Sequence, residues 1–365
     1  MKELVVDLGE RSYPVLIGPG LLKSCGNLIS RVVRKGKALL VSNPTVFPLY
    51  GPQVADSLEQ AGFEVAVARM PDGERFKNID ETMKILDLAV RTGLERDSVV
   101  VALGGGVTGD LAGLVASLYM RGINFIQIPT TLLAQVDSSI GGKVGVNHAR
   151  GKNLIGAFHQ PLAVIADTGT LATLEEREYR AGLGEAVKYG IIYNQDFFYW
   201  MEKNARGIVE NDENCLQEII FQSCSAKAEI VKQDEKETGL RAILNLGHTF
   251  GHSLEKLTNY NTYRHGEAVV MGIIAAGHLA SYLGYLQETE RERIEKLLYD
   301  LGLIFQYPDI SSAKIYLGML NDKKIMDGKL RLIIPKTIGT PMIAENVSRE
   351  TIIKSIEAAS KTIVK

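Results

Sequence analysis

Apolar residues fall into two rhythms along this chain, and the change between them is the first structural fact. Residues 4–6, 13–17, 38–41 and 63–67 are short apolar runs of strand length. Residues 99–103 (VVVAL) are apolar without a break, the pattern of a strand covered on both faces. Residues 124–129 and 163–166 read as further strands. Between them, residues 54–61 and 79–91 space their apolar positions as helices do, and Asp80 and Glu81 suit a first helical turn. Strand and helix alternating at this interval predict a Rossmann-like, doubly wound α/β sheet.

From about residue 170 the period changes. Residues 174–190, 195–204, 214–234, 242–257, 266–283 and 289–301 read as helices. Strand signals nearly vanish until the apolar run at 330–334. The expectation is an α/β domain over residues 1–173 followed by an all-helical domain over residues 174–365. No repeat and no low-complexity linker intervenes, so the halves are expected to pack closely, with a ligand cleft between them.

Composition narrows the classes. At 365 residues and 45% hydrophobic, the chain has enough apolar material for two cores. A net charge of −2 predicts no nucleic-acid and no membrane partner. The apolar run at 268–276 is too short to span a bilayer and reads as a buried helix. Cys25, Cys215 and Cys224 are odd in number and lack metal-binding spacing, which fits a reducing compartment. The N-terminus alternates like a strand and lacks a signal-peptide core, so a cytoplasmic location is expected.

Candidate chemistry concentrates in three places. Residues 244–267 (LNLGHTFGHSLEKLTNYNTYRHGE) hold three of the six histidines: His248, His252 and His265. His248 and His252 share a helix face at i, i+4, and Asn245 lies one turn before them. Two imidazoles on one face and a third nearby can assemble a divalent metal site, although such pairs also occur in ordinary helices. Spacing alone leaves open whether His248 acts with His252 or with His265. Glu185, three residues before Lys188, is the spare carboxylate that would complete a two-histidine, one-carboxylate set; a simple Glu185–Lys188 ion pair is the plainer alternative.

The second place is the turn Gly104-Gly105-Gly106-Val107-Thr108-Gly109-Asp110, between the strand at 99–103 and a helix at 111–118. Glycines there let a phosphate approach a helix N-terminus, although the run is neither the G-x-G-x-x-G fingerprint nor a P-loop. The polar loop DGERFK at 72–77 either reaches the same ligand or is a solvated turn; spacing alone leaves both open. The third place is a basic cluster: Arg121, Lys143, Lys152 and Asn153, joined by Lys188, Lys227 and Arg241. Gly141, Gly142 and Gly145 bracket Lys143 and suggest a tight loop around a small ligand. Asp137, among Leu132, Leu133 and Val136, is either a cap for Ser138 and Ser139 or a holder of hydroxyls. In a slightly acidic chain, this local positive charge suits a small polyanion carrying phosphate and carboxylate.

The motifs GGGVTGDLAG, YMRGINFIQIPTTLLAQVDSSIGGKVGVN, KNLIGAFHQP, GLGEAVKYG, LNLGHTFGHSLE, HGEAVVMG and NDKK occur in order over about residues 72–324. Together they resemble the 3-dehydroquinate synthase family of the sugar-phosphate cyclase superfamily. The resemblance implies an N-terminal NAD-binding domain, a C-terminal helical domain holding zinc or cobalt, and a cytoplasmic homodimer. It implies conversion of a phosphorylated keto-acid sugar, 3-deoxy-D-arabino-heptulosonate 7-phosphate, to 3-dehydroquinate and phosphate. The implied route is transient oxidation by NAD, phosphate elimination, re-reduction, ring opening and intramolecular aldol closure.

By the same resemblance Glu185, His248 and His265 are the metal ligands, and His252 faces the substrate phosphate. Lys143, Asn153, His252 and one of Lys323 and Lys324 match phosphate-binding positions, and Arg121 one that reaches the phosphate from the partner subunit. Lys227 and Arg241 match positions near the substrate carboxylate and hydroxyls; Asp137, Lys188 and Asn245 match hydroxyl and metal-side contacts. NAD would meet Asp72, Gly73, Glu74, Arg75, Phe76, Lys77, Gly105, Gly106, Val107, Thr108, Gly109 and Asp110. It would also meet Thr130, Thr131, Lys143, Lys152, Thr170, Leu171, Ala172 and Thr173. The competing readings are a sister cyclase acting on glucose 6-phosphate or sedoheptulose 7-phosphate, a metal- and NAD-dependent polyol dehydrogenase, and a binding protein that has lost the chemistry.

Overall fold

The computed structural model describes residues 1–237, 239–320, 325–326 and 329–362. Lys323 and Lys324 lie outside the described residues. Two compact units emerge: Met1–Leu174 with Gln217–Lys236, and Glu175–Leu216 with Glu237–Lys365.

In the first unit, β1 (Lys2–Val6), β2 (Tyr13–Gly18) and the short α1 (Cys25–Ile29) are followed by β3 (Lys37–Ser42), α2 (Phe47–Gln60) and β4 (Glu64–Arg69). Then come α3 (Ile79–Arg91), β5 (Val99–Gly104), α4 (Gly106–Leu118) and β6 (Asn124–Pro129). A hairpin, β7 (Lys143–His148) and β8 (Gly151–Phe158), precedes β9 (Ala163–Asp167). The sheet has seven strands in the order β1-β2-β9-β6-β5-β3-β4. All neighbours are parallel except the edge strand β1, which runs antiparallel to β2.

Period-two alternation builds two cores. Val99, Val101 and Leu103 of β5 face a cluster with Val54 and Leu58 of α2. Val100 and Ala102 face the opposite cluster with Ile85 of α3 and Leu111 of α4. From β3 the chain steps outward to β4 and returns to add β5 on the other side of β3. That reversal is a topological switch point, where open α/β sheets bind ligands beyond the carboxyl ends of their strands.

The second unit is helical as expected: α5 (Glu176–Ile192), α6 (Gln195–Val209), the start of α7 (Glu213–Gln233), α8 (His248–Leu257), α9 (His265–Tyr282), α10 (Glu288–Asp300) and α11 (Ser312–Met319). Two short strands, β10 (Ile325–Met326) and β11 (Lys329–Leu330), and a hairpin of β12 (Leu332–Thr337) and β13 (Thr340–Ala344), lead to α12 (Arg349–Ala359). Among the described residues no helix is long and apolar enough to cross a membrane.

Several expectations change. Lys143 opens strand β7 rather than sitting in a loop, because Gly145 and Gly156 let β7 and β8 approach closely. A Cβ at Gly145 would stand 2.6 Å from the Ile155 carbonyl oxygen. The expected helix over 242–257 is two pieces, a 3₁₀ turn at Leu240–Asn245 and then α8. They part at Gly247, whose φ of 78° is left-handed. Asn245 therefore is not on the helix that carries His248. Most of α7, assigned above to the helical half, groups with the first unit. Asp7–Lys232 (2.8 Å), Arg11–Glu235 (2.5 Å) and the Lys2–Glu218 pair attach it to the first strands and the turn between them.

Candidate active site

The metal-ligand candidates meet in the second unit. Glu185 on α5 is fully buried, His248 is the first residue of α8, and His265 is the first residue of α9. A glycine next to each lets the three helices approach backbone to backbone. A Cβ on Gly184 would lie 2.9 Å from the Gly266 carbonyl oxygen, and one on Gly266 would overlap the Ala181 carbonyl oxygen. A Cβ on Gly247 would overlap the Val269 carbonyl oxygen, and one on Gly251 would sit 2.8 Å from that of Ala268. No larger residue fits this seam without displacing backbone.

Glu185 Oε1 lies 3.5 Å from His248 Nε2 and 3.6 Å from His265 Nε2. These are not hydrogen bonds, and Oε1 is buried without a hydrogen-bond partner. One donor atom from each of the three residues lies within 4.8 Å of the others. Ligands about 2.0–2.1 Å from a tetrahedral ion stand roughly 3.4 Å apart, so this spacing fits a divalent cation. The far ring nitrogens have their own partners. His248 Nδ1 is 3.0 Å from the Leu246 carbonyl oxygen, and His265 Nδ1 is 3.2 Å from Glu255 Oε2. Both arrangements put the proton on Nδ1 and leave the Nε2 lone pair for an ion.

Lys188, one turn along α5, pairs with Glu185 Oε2 at 2.5 Å and is 1% exposed. The ion pair weighed as the plainer alternative is thus present, while Oε1 faces the histidines. His252 is close, its ring 5.6 Å from that of His248 and 5.8 Å from that of His265. It belongs with Glu255 and His265 to a second group of donors of metal-binding spacing. Arg241 is buried in the 3₁₀ turn, where Asn245 Nδ2 donates to the Ala242 carbonyl oxygen at 3.1 Å. Glu255 was missed at sequence level; the available signal was its place three residues after His252 in HSLE.

In the first unit, most residues expected to meet NAD follow the carboxyl ends of parallel strands. The 72–77 loop follows β4, the glycine turn follows β5, Thr130 and Thr131 follow β6, and Thr170–Thr173 follows β9. Helix α4 starts at Gly106 with no side chain capping it, as an anion-binding N-terminus requires. Tyr50 Oη lies 2.6 Å from Thr173 Oγ1, and Gln135 Nε2 donates to Thr170 Oγ1 at 3.1 Å. These contacts hold the segment after β9 at the carboxyl-end edge of the sheet.

Lys77 is buried against Asp110 and donates to Asn153 Oδ1 at 2.7 Å. Burial works against its charge, but the Asp110 and Glu74 carboxylates outweigh it and hold the amine above its ordinary range. Asn147, which the sequence reading did not single out, donates to Glu74 Oε1 at 2.8 Å and ties the loop to the hairpin. Asp137 lies in a π-helical turn, Ala134–Ser138. Its Oδ1 accepts from Lys227 Nζ at 2.6 Å. Lys152 is half-buried on β8, and Arg121 and Lys143 are exposed.

Two family descriptions match in sequence: 3-dehydroquinate synthase N-terminal over residues 67–181 and C-terminal over 182–325. The 3-dehydroquinate synthase of Desulforamulus reducens is 49% identical over 354 residues, spanning 97% of this chain and 99% of that protein. That of Pelotomaculum thermopropionicum is 47% identical over 363 residues, spanning 98% and 97%. Among solved structures, a 2-deoxy-scyllo-inosose synthase complexed with carbaglucose-6-phosphate, NAD+ and Co2+ superposes with a TM-score of 0.89. Its identity is 26%, over 98% of this chain and 100% of that one. Full-length identity near one half to synthases, against about a quarter to the sister cyclase, disfavours the sister-cyclase reading. The chain belongs to the 3-dehydroquinate synthase family.

Proposed function

We propose that this enzyme converts 3-deoxy-D-arabino-heptulosonate 7-phosphate to 3-dehydroquinate and phosphate with NAD and a divalent metal, as a cytoplasmic homodimer in aromatic amino acid biosynthesis. The observation that carries the metal dependence is the convergence of Glu185 Oε1 with the Nε2 atoms of His248 and His265 at 3.5 and 3.6 Å. NAD is supported by the strand-end loops of the first unit and by the NAD+ bound in the similar cyclase complex. When bound, the two groups supply Lewis acidity at a substrate hydroxyl and a reversible hydride acceptor.

The chain's own residues then bind and orient. Lys143, Asn153, His252 and one of Lys323 and Lys324 grip the phosphate, with Arg121 of the partner subunit. Lys227 and Arg241 meet the carboxylate and hydroxyls, and Asp137, Lys188 and Asn245 hold hydroxyl groups. Lys188, buried beside Glu185, suits that task because its ammonium is already desolvated. Asp137 and Lys227 pair at 2.6 Å, so each is held in place before substrate arrives. The substrate phosphate removes the proton for its own elimination, so no protein base is assigned.

The test is to incubate the protein with the heptulosonate phosphate, a trace of NAD and zinc. Phosphate should appear in large excess over NAD, with no lasting NADH absorbance, and a chelator should stop it. NADH accumulating with turnover would instead make the protein a dehydrogenase.

A further inference from the structure

We propose that Glu255 is a positioning residue of the metal centre. It orients His265 so that Nε2 faces the ion, and it strengthens that nitrogen as a donor. The inference rests on the reading of Glu185, His248 and His265 as the ligand set.

On α8, Glu255 follows His248 by seven residues and His252 by three, so all three side chains share one face. Its side chain is 4% exposed, and Oε2 lies 3.2 Å from His265 Nδ1. Across the ring, His265 Nε2 faces Glu185 Oε1. A carboxylate accepting the Nδ1 proton fixes this tautomer, sets the ring plane and raises the electron density on Nε2.

The two candidate ligand histidines differ here. The acceptor for His248 is a neutral backbone carbonyl, that of Leu246, and its side chain is 11% exposed. The acceptor for His265 is a charged carboxylate, and its ring is 33% exposed. The more exposed ring is thus oriented by the stronger acceptor. A buried carboxylate is costly unless a polarised donor compensates it, and an imidazole N–H becomes a stronger donor when a cation withdraws charge through Nε2. Metal binding and the Glu255–His265 hydrogen bond therefore favour each other.

Glu255 could instead be a ligand itself, with His252 and His265. Geometry favours the positioning role. Its contact with His265 has a hydrogen-bond length, whereas Glu185 Oε1 is a buried acceptor without a hydrogen-bond partner between two imidazole nitrogens.

The experiment titrates Co2+ and Zn2+ into the metal-free full chain and reads affinity by competition with a chromophoric chelator and by the cobalt d–d absorption. Variants are E255Q, E255L, E185Q, H252A and H265A, each also melted without metal. E255Q should weaken metal affinity about 10-fold and E255L about 100-fold, with an altered cobalt band and unchanged metal-free melting. Under the same conditions E185Q and H265A should lose the ion, and H252A should keep it. Unchanged affinity in E255Q and E255L, with H265A still losing the ion, would overturn the role of Glu255 and leave the ligand set standing. Loss in H252A and E255Q with retention in E185Q would place the ion in the other triad and overturn both. Wild-type affinity in E185Q and H265A would remove the ligand set and this inference with it. Should E255L fail to fold, the near-isosteric E255Q decides alone.

Discussion

The candidate sites in the two units hold their charged groups in different ways. In the first, charges are mutually satisfied: Lys77 with Asp110 and Asn153, and Lys227 with Asp137 at 2.6 Å. In the second, Glu185 Oε1 and two imidazole nitrogens converge without bonding to one another. A satisfied network is stable alone and exchanges partners when a ligand arrives. A convergent set of acceptors repels itself until a cation enters. The first suits a substrate that comes and goes, and the second suits a resident ion.

The largest test of that contrast is His265→Ala. It should release the ion and lower activity about 10³-fold or more, since a catalytic metal contributes several kcal/mol. Elemental analysis beside phosphate release checks it, and a full equivalent of retained metal would end the contrast. Next is the glycine seam. Gly266→Ala forces a Cβ into the Ala181 carbonyl and should cost about 3 kcal/mol in denaturant unfolding. Gly36→Ala, where a Cβ meets nothing within 4 Å, should stay within about 0.5 kcal/mol. Equal costs would show that the seam is not what sets the ligand positions.

Lys143→Ala should raise KM about 10–150-fold with little change in kcat, because a charge-assisted phosphate contact is worth about 1.5–3 kcal/mol. An unchanged KM in steady-state kinetics removes Lys143 from the phosphate site. The smallest effect is the sharpest. In metal-free protein, a double-mutant cycle between Lys227 and Asp137 should show coupling of about 1–2 kcal/mol. The same cycle between Glu185 and His248 should show less than about 0.5 kcal/mol, growing several-fold once zinc is added. Strong coupling without metal would make Glu185 and His248 an ordinary ion pair.

Much of this was legible beforehand because it is local. The buried run at 99–103 became β5, and the 79–91 periodicity became α3 with its Asn78 cap. The glycine turn was legible as a helix start, although it forms the first turn of α4 itself. The β7–β8 hairpin was not, because its cross-strand glycines erase the alternation that marks a strand. The break at Gly247 was not, because glycine tolerates a helical φ as readily as the 78° it adopts. Glu255 was overlooked because only its approach to His265, ten residues on, distinguishes it from any other helical carboxylate.

By itself, the amino-acid sequence determined the kinds of elements, their order and the chemistry of their side chains. Each depends on periodicity or residue type within a few positions. Which donors meet was a tertiary decision. Spacing left His248 with His252 and His248 with His265 equally open. The packing of α5, α8 and α9 across their glycines brings His248 and His265 to the same oxygen of Glu185. Residues far apart in sequence share an ion only where backbones can touch, and that distance is written in the fold rather than in any local pattern.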